Sequence, residues 1–415
     1  MGASPRKSCP VTRRRLGRLG GAVLAVPLLT TLVLPGLAAQ QPGLSGYYLN
    51  LFTGVGESVL APAGVTDFQR LRLMWNGSAG PMRLDAAYEH TLTLRQEGVL
   101  GAQLFTAAGT ASGGDWLSLG GEIRSDARTV WRHRVDRLSA RIDLGGSADL
   151  VIGRQPVSWA TTLFLTPADP FSPFDPADPF REYRTGVDAA RLRYYRGSFT
   201  QFEVVVRPAR PGDRETLTML GRVSSNRRGW DLGAWGGVVH DTFGAAAFLS
   251  GSVGLWALRA EGAVRDLEDR LVVRGTVGLD RTFAVAGADL YVVVEYQRDG
   301  LGATTPDGLL DAARSRAFEQ GEMQGLGRDV GALQMSYPVH PLVSASALVL
   351  GSLRDGSFVF APGLGYSVSE SMSLSAGAYF GVGEGPSLDG TELSLGSEFG
   401  ALPRVGYMSA SVFFW

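Results

Sequence analysis

Arginines at even spacing are the residues of this chain with the most chemistry to offer. Arg137 and Arg141 form one such pair, Arg191 and Arg193 another. Strand side chains alternate, so each pair projects from one face. Guanidinium groups bind carboxylates and phosphates through planar, paired hydrogen bonds. Between the two pairs runs GRQPVSWATTLFLTPADPFSPFDPADPFREYRTGVD, from Gly153 to Asp188, with Asp169, Asp175, Asp178 and Glu182 set among Phe164, Phe171, Phe174 and Phe180. Its five prolines between Pro167 and Pro179 exclude a regular strand or helix. Phenylalanines at this density need cover. Either the segment folds into an interior and sets its acids against the arginines, or it caps a rim through Arg–Asp pairs; the sequence leaves both open.

Other chemistries lack their residues. The four histidines, His90, His133, His240 and His340, are scattered, and no G-x-S-x-G, H-E-x-x-H or carboxylate-rich metal loop occurs. No enzymatic activity, cofactor or metal is expected. Residues 1–39 read as a secretory signal peptide: a basic start, an apolar run from Leu19 to Leu34 and small residues at Gly36–Ala39. Cys9, the only cysteine, lies inside it, so residues 40–415 can form no disulfide. Six of the 39 basic residues also lie there, leaving 33 against 40 acids, a net of −7. That charge argues against a nucleic-acid partner.

The arginines need strands to hold them, and segments of about ten residues supply that pattern throughout residues 40–415. Leu71, Leu73 and Trp75 share a face opposite Arg70 and Arg72; Leu138, Ala140 and Ile142 oppose Arg137, Ser139 and Arg141; Val273, Val277 and Leu279 oppose Arg274, Thr276 and Asp280. A soluble sandwich would bury the apolar face, and a solenoid would show a fixed repeat. Here the polar face is charged, and aromatics (Tyr47, Trp75, Trp131, Trp230, Tyr337, Tyr366, Tyr407, Trp415) cluster at strand ends as membrane-interface girdles do. With no apolar run long enough for a spanning helix after residue 39, a membrane protein of this sequence must be a barrel.

The last stretch, Arg404–Trp415 (RVGYMSASVFFW), resembles the closing strand of Gram-negative outer-membrane β-barrels, which ends in an aromatic on the periplasmic side. Tyr407, Phe413 and Trp415 share one parity; Ser409 and Ser411 fall where that family carries apolar residues. The GRQ-x-V-S-W opening at Gly153 is similar to that of porin-like outer-membrane barrels, among them relatives of the alginate-export type. The resemblance implies an all-β, antiparallel up-and-down transmembrane barrel in the cell outer membrane, assembled by barrel-assembly machinery that reads Arg404–Trp415. Placing Trp415 in the periplasm makes Gly383–Pro403 one external loop. The count then reaches about eighteen strands, or sixteen without the weak first hairpin, with long external loops near 96–128, 159–185, 299–327 and 383–403. Leu309–Phe318 predicts a short helix decorating its loop. The expected function is passive diffusion of small polar solutes, anions among them, through a lumen lined by Arg137, Arg141, Arg191 and Arg193 and narrowed by the 159–185 loop. The alternative is a closed barrel whose external loops serve adhesion or partner binding.

Overall fold

The computed structural model describes residues 43–59, 62–97, 114–171, 183–212, 214–267, 270–389 and 392–415. The expected signal peptide and the acids Asp175, Asp178 and Glu182 lie outside them. The first strands are β1 (Leu44–Val55), β2 (Gly64–Ala79), β3 (Met82–Arg95), β4 (Gly120–Ser125), β5 (Thr129–Asp143), β6 (Ala148–Gln155) and β7 (Val187–Arg196). The middle of the chain gives β8 (Thr200–Ala209), β9 (Thr216–Arg227), β10 (Trp230–Val239), β11 (Thr242–Val253), β12 (Trp256–Leu267), β13 (Arg270–Val285) and β14 (Ala288–Asp299). After two short helices, α1 (Leu309–Ala313) and α2 (Arg316–Glu319), come β15 (Asp329–His340), β16 (Val343–Ser352), β17 (Phe358–Ser369), β18 (Met372–Val382), β19 (Ser387–Asp389), β20 (Glu392–Ser394) and β21 (Val405–Phe414).

Among the described residues eighteen of these strands form one closed antiparallel barrel, with β21 returning to β1 so that Gly46 faces Phe414 and Val55 faces Val405. The sixteen-strand count fails because β1 pairs with β2 along its whole length, from Leu44 opposite Trp75 to Val55 opposite Gly64. β4 adds to β5 above the ring, and β19 and β20 form a small hairpin in the last loop. Short turns gather at one rim, long connections at the other. Arg228–Gly229 and Ala286–Gly287, both on the short-turn rim, take positive φ at both residues, which matches the twist of the hairpins they close.

The outer face is apolar, as a lipid-facing wall must be. Leu192, Val204, Leu217, Val223, Val277, Val294 and Leu364 all stand exposed on it. Trp75, Trp131 and Tyr366 are exposed as expected of girdle residues, whereas Tyr47 and Tyr407 turn inward. Tyr47 is buried against Tyr183 and Phe413, and Tyr407 lies beside Tyr379.

The closing strand therefore presents the opposite face from the one its resemblance suggests. Met408 is exposed to lipid and Phe414 partly so, while Ser409 and Ser411 are buried in the interior. The Ser409 hydroxyl lies 2.6 Å from that of Ser375 on β18. The serines are lumen residues, and the apolar face is Met408, Ala410, Val412 and Phe414.

A bulge resets parity once more. β5 carries an extra residue opposite Ala87–Tyr88, at Asp136. Strict alternation would turn Arg134 away from the face that holds Arg137; the extra residue keeps both inside and adds the Asp136 carboxylate between them.

The register of β21 can be checked with single cysteines, since the described chain contains none. A probe on Met408→Cys should be quenched by a bilayer-confined quencher, and one on Ser409→Cys only by an aqueous one. The reverse pattern would put the strand in the other register.

Candidate solute passage

The root of the 159–185 loop is built by the GRQ segment. Gly153 has φ +113°, and a Cβ there would meet the Leu138 carbonyl oxygen at 2.3 Å, so only glycine fits against β5. The next two residues are buried. Arg154 grips Asp188 through Nε and NH2 at 2.8 Å each, and also donates to the carbonyls of Leu117 and Val135. Asp188 in turn accepts the backbone N–H groups of Trp116 and Leu117. Gln155 donates to the carbonyls of Val151 and Ala189.

From this root the described part of the loop enters the barrel. Trp159 is buried, meets Phe171 edge-on, and donates its indole N–H to Glu203 at 2.9 Å. With Val157 and Ala168 these rings form a core against Val187, Ala189, Val205, Leu220, Trp235 and their neighbours on β7–β12. Leu165 reaches a second core on the far wall, with Val55, Val330, Leu350, Val359, Tyr379 and Val405. The loop thus crosses the lumen. Burying four large apolar side chains contributes roughly 2 kcal/mol each.

Two wall carboxylates hold the crossing segment. Glu261 on β12 accepts the N–H groups of Thr161, Thr162 and Ala168 at 2.9, 3.3 and 3.1 Å. Glu295 on β14 accepts those of Leu163, Phe164 and Leu165 at 2.6, 3.0 and 2.9 Å. A loop in the interior has no ladder to satisfy its N–H groups, and these carboxylates supply the acceptors. The 300–328 connection adds Gln324, which accepts from Thr166 N–H and donates to the Phe164 carbonyl. It also sends Glu322 to Arg265. Its helices therefore belong to a lid packed on the lumen rather than to surface decoration, with Leu309 and Ala312 buried.

The four arginines singled out from sequence all face inward, but their partners are wall carboxylates. Arg141 and Arg193 share Asp149, with NH2 contacts of 3.0 and 2.7 Å. Arg191 Nε donates to Glu203 at 2.6 Å. Arg137 lies over the Tyr183 ring and 4.0 Å from Asp85. Asp169 is buried and takes Ser158 Oγ and Arg184 NH1 from its own loop. Among the described residues no ion pair joins it to Arg137, Arg141, Arg191 or Arg193. Sequence reasoning also missed Arg72, fully buried between Glu89 and Asp136 under Tyr183.

Two cavities lie along this arginine-rich sector. The upper one, about 470 Å³, is lined by Arg70, Glu89, Asp115, Arg132, Arg134 and Thr185 among others. The lower one, about 860 Å³, is lined by Arg83, Asp85, Arg141, Gln155, Arg191 and Arg193. Between their levels sit Arg72, Asp136, Arg137 and Tyr183.

On the long-loop rim, His240 is buried with Nδ1 2.8 Å from Thr216 Oγ1. Burial, with the nearby Arg207 cation opposing a second charge, pushes its pKa down to about 4. Glu398 is pushed up, chiefly by burial, although it accepts N–H bonds from Leu326 and Gly327.

No family model matches the chain, and no curated protein matches it either. Solved structures do. OccAB1 of Acinetobacter baumannii superposes with a TM-score of 0.55 at 8% identity, covering 90% of this chain and 96% of that one. OpdK of Pseudomonas aeruginosa, solved with vanillate, gives 0.51 at 12% over 90% and 98%. A BenF-like porin from Pseudomonas fluorescens gives 0.50 at 11% over 90% and 97%. The chain has the fold of outer-membrane porins.

Removing one latch should loosen the loop. Glu295→Ala strands three N–H groups in the lumen, at a cost on the order of 3 kcal/mol, and should make the 156–171 segment cleavable by added protease where the native barrel resists. Equal resistance would show that the apolar contacts alone hold the loop. His240 supplies a pH test. Between its ordinary 6.5 and about 4, the unfolded chain binds a proton that the folded chain refuses, so acidification through that window costs up to ~3 kcal/mol of stability. His240→Asn, which tolerates the φ of +46°, should flatten the fall in apparent unfolding temperature from pH 6.5 to 4. An unchanged slope would assign it to other groups.

Proposed function

We propose that the protein is a passive channel for small polar solutes across the outer membrane, with a preference for anions. One observation carries the reading: cavities of about 470 and 860 Å³, each lined by several arginines, lie on the same sector of the wall above and below the level of Arg137 and Tyr183. Eighteen strands enclose more space than wall side chains fill. The crossing loop packs against β7–β12 and the far wall, one cavity of about 550 Å³ remains beneath it beside Gln201, Arg222 and Asn226, and the two stacked cavities lie along β2, β3 and β5–β7. The waist is formed by Arg137 and Tyr183, with the buried Arg72–Asp136 pair behind them. A solute leaving it meets Arg83, Arg141, Arg191 and Arg193 with Asp85 as the one acid of the lower cavity lining. Such a surface attracts small organic anions through charge-assisted hydrogen bonds. The vanillate solved with OpdK is a solute of that size and charge.

Delivery follows the same reading: residues 1–39 direct export and are removed, and Arg404–Trp415 engages the assembly machinery. The fold of the porins supports the outer membrane as the destination. The loop-filled centre keeps a second reading alive, a closed barrel whose outer loops bind a partner, and conduction separates the two.

The protein refolded into a planar bilayer should pass ions in discrete steps with an anion-favouring reversal potential. Arg141→Gln with Arg193→Gln frees Asp149, and should move the reversal potential toward cations. Absence of current from a folded barrel would favour the closed reading; current with an unmoved potential would take these arginines off the path.

A further inference from the structure

One arginine of the wall faces the wrong way for a channel residue. Arg281 lies on β13 between Leu279 and Phe283 and opposite Val292 on β14. Leu279, Val285 and Val294 on the same face are exposed to lipid. Its neighbour Asp280 points inward and is engaged by Arg259 and by the Tyr291 hydroxyl at 3.0 Å. Among the described residues Arg281 has no carboxylate within ion-pair distance, and its buried Nε meets no acceptor. Instead its guanidinium lies over two rings, 5.4 Å from the centroid of Trp256 and 4.7 Å from that of Phe283. Those rings meet edge-on at 5.8 Å, so they form a cradle built from two strands.

The position along the strand sets the chemistry. Arg281 is four residues from the end of β13 at the short-turn rim. At a rise of ~3.3 Å and a tilt of ~40°, its Cα sits about 10 Å inside that rim. The long side chain then reaches the headgroup level, as snorkelling arginines do. A guanidinium on a lipid face without a protein carboxylate leaves its donors to the membrane's own anions. Two aromatic faces hold its plane while its edge stays free.

We propose that Arg281, Trp256 and Phe283 form a binding site for the phosphate diester of a phospholipid in the leaflet at the short-turn rim. The guanidinium donates paired hydrogen bonds to the phosphate oxygens, and the acyl chains lie along Leu279, Val277 and Val294. The site lies outside the lumen, so it stands or falls independently of conduction.

The folded protein, equilibrated in phosphatidylglycerol nanodiscs and extracted into detergent, should carry phospholipid adducts countable by native mass spectrometry. Arg281→Gln should retain about tenfold less, the loss of a charge-assisted pair. Arg298→Gln serves as the control, because Arg298 stands on the same face at the other rim and already bonds Asp329; it should retain as much as the native protein. Equal retention by Arg281→Gln would overturn the site, and so would displacement of the lipid from the native barrel by millimolar inorganic phosphate, which would make it a free-anion site. Should Arg281→Gln not fold, the native barrel decides: diacylglycerol retained as well as phosphatidylglycerol would show that the phosphate is not read.

Discussion

The interior of this barrel depends on two carboxylates accepting six backbone N–H groups. Glu261 and Glu295 hold Thr161–Leu165 and Ala168 across the lumen. Without them the loop could not leave water, because each buried N–H would lack an acceptor. With them, Trp159 and Leu165 reach cores on opposite walls, and space remains in the arginine-rich sector and beneath the loop beside Arg222 and Asn226. The apolar contacts supply much of the energy; the carboxylates decide where the backbone can lie.

The wall itself was legible because a lipid-facing barrel writes its parity into every strand. About eighteen segments alternate, and the four long connections between them fall within a few residues of the observed ones. Parity failed where the chain departed from strict alternation or where its sign was taken from a resemblance. The extra residue at Asp136 leaves no mark in a sequence already dense with charge. In β21 the alternation was clear but its sign was not: an aromatic at each of Phe413, Phe414 and Trp415 lets either face claim the lipid, and the buried serines settle the matter.

The latches were illegible for a different reason. Glu261 and Glu295 stand roughly one hundred and one hundred and thirty positions from the loop they hold. One trace existed. Glu295 pairs in register with Gly278 and Ala332, small residues that leave its carboxylate without a charged neighbour and with room beside it. An inward acid flanked by small residues points to a partner from elsewhere. Likewise, the loop acids are one of two sets of partners the sequence leaves open for the arginine pairs, whereas β-sheet register gives them nearer ones: Asp149 lies directly opposite Arg193 and Glu203 directly opposite it on the other side.

The two cores inside the lumen have a consequence for how the chain folds. The hydrophobic effect is absent between wall and lipid but acts in full on apolar groups in a water-filled lumen. The loop's far-wall core joins Val55 on β1 to Val405 on β21, which face each other only across the closing seam, so these crossing contacts need the ring closed or nearly so. Closure in lipid comes first, and a second, water-driven condensation follows inside it. The barrel thus encloses a small folding problem of the soluble kind, solved after the membrane one.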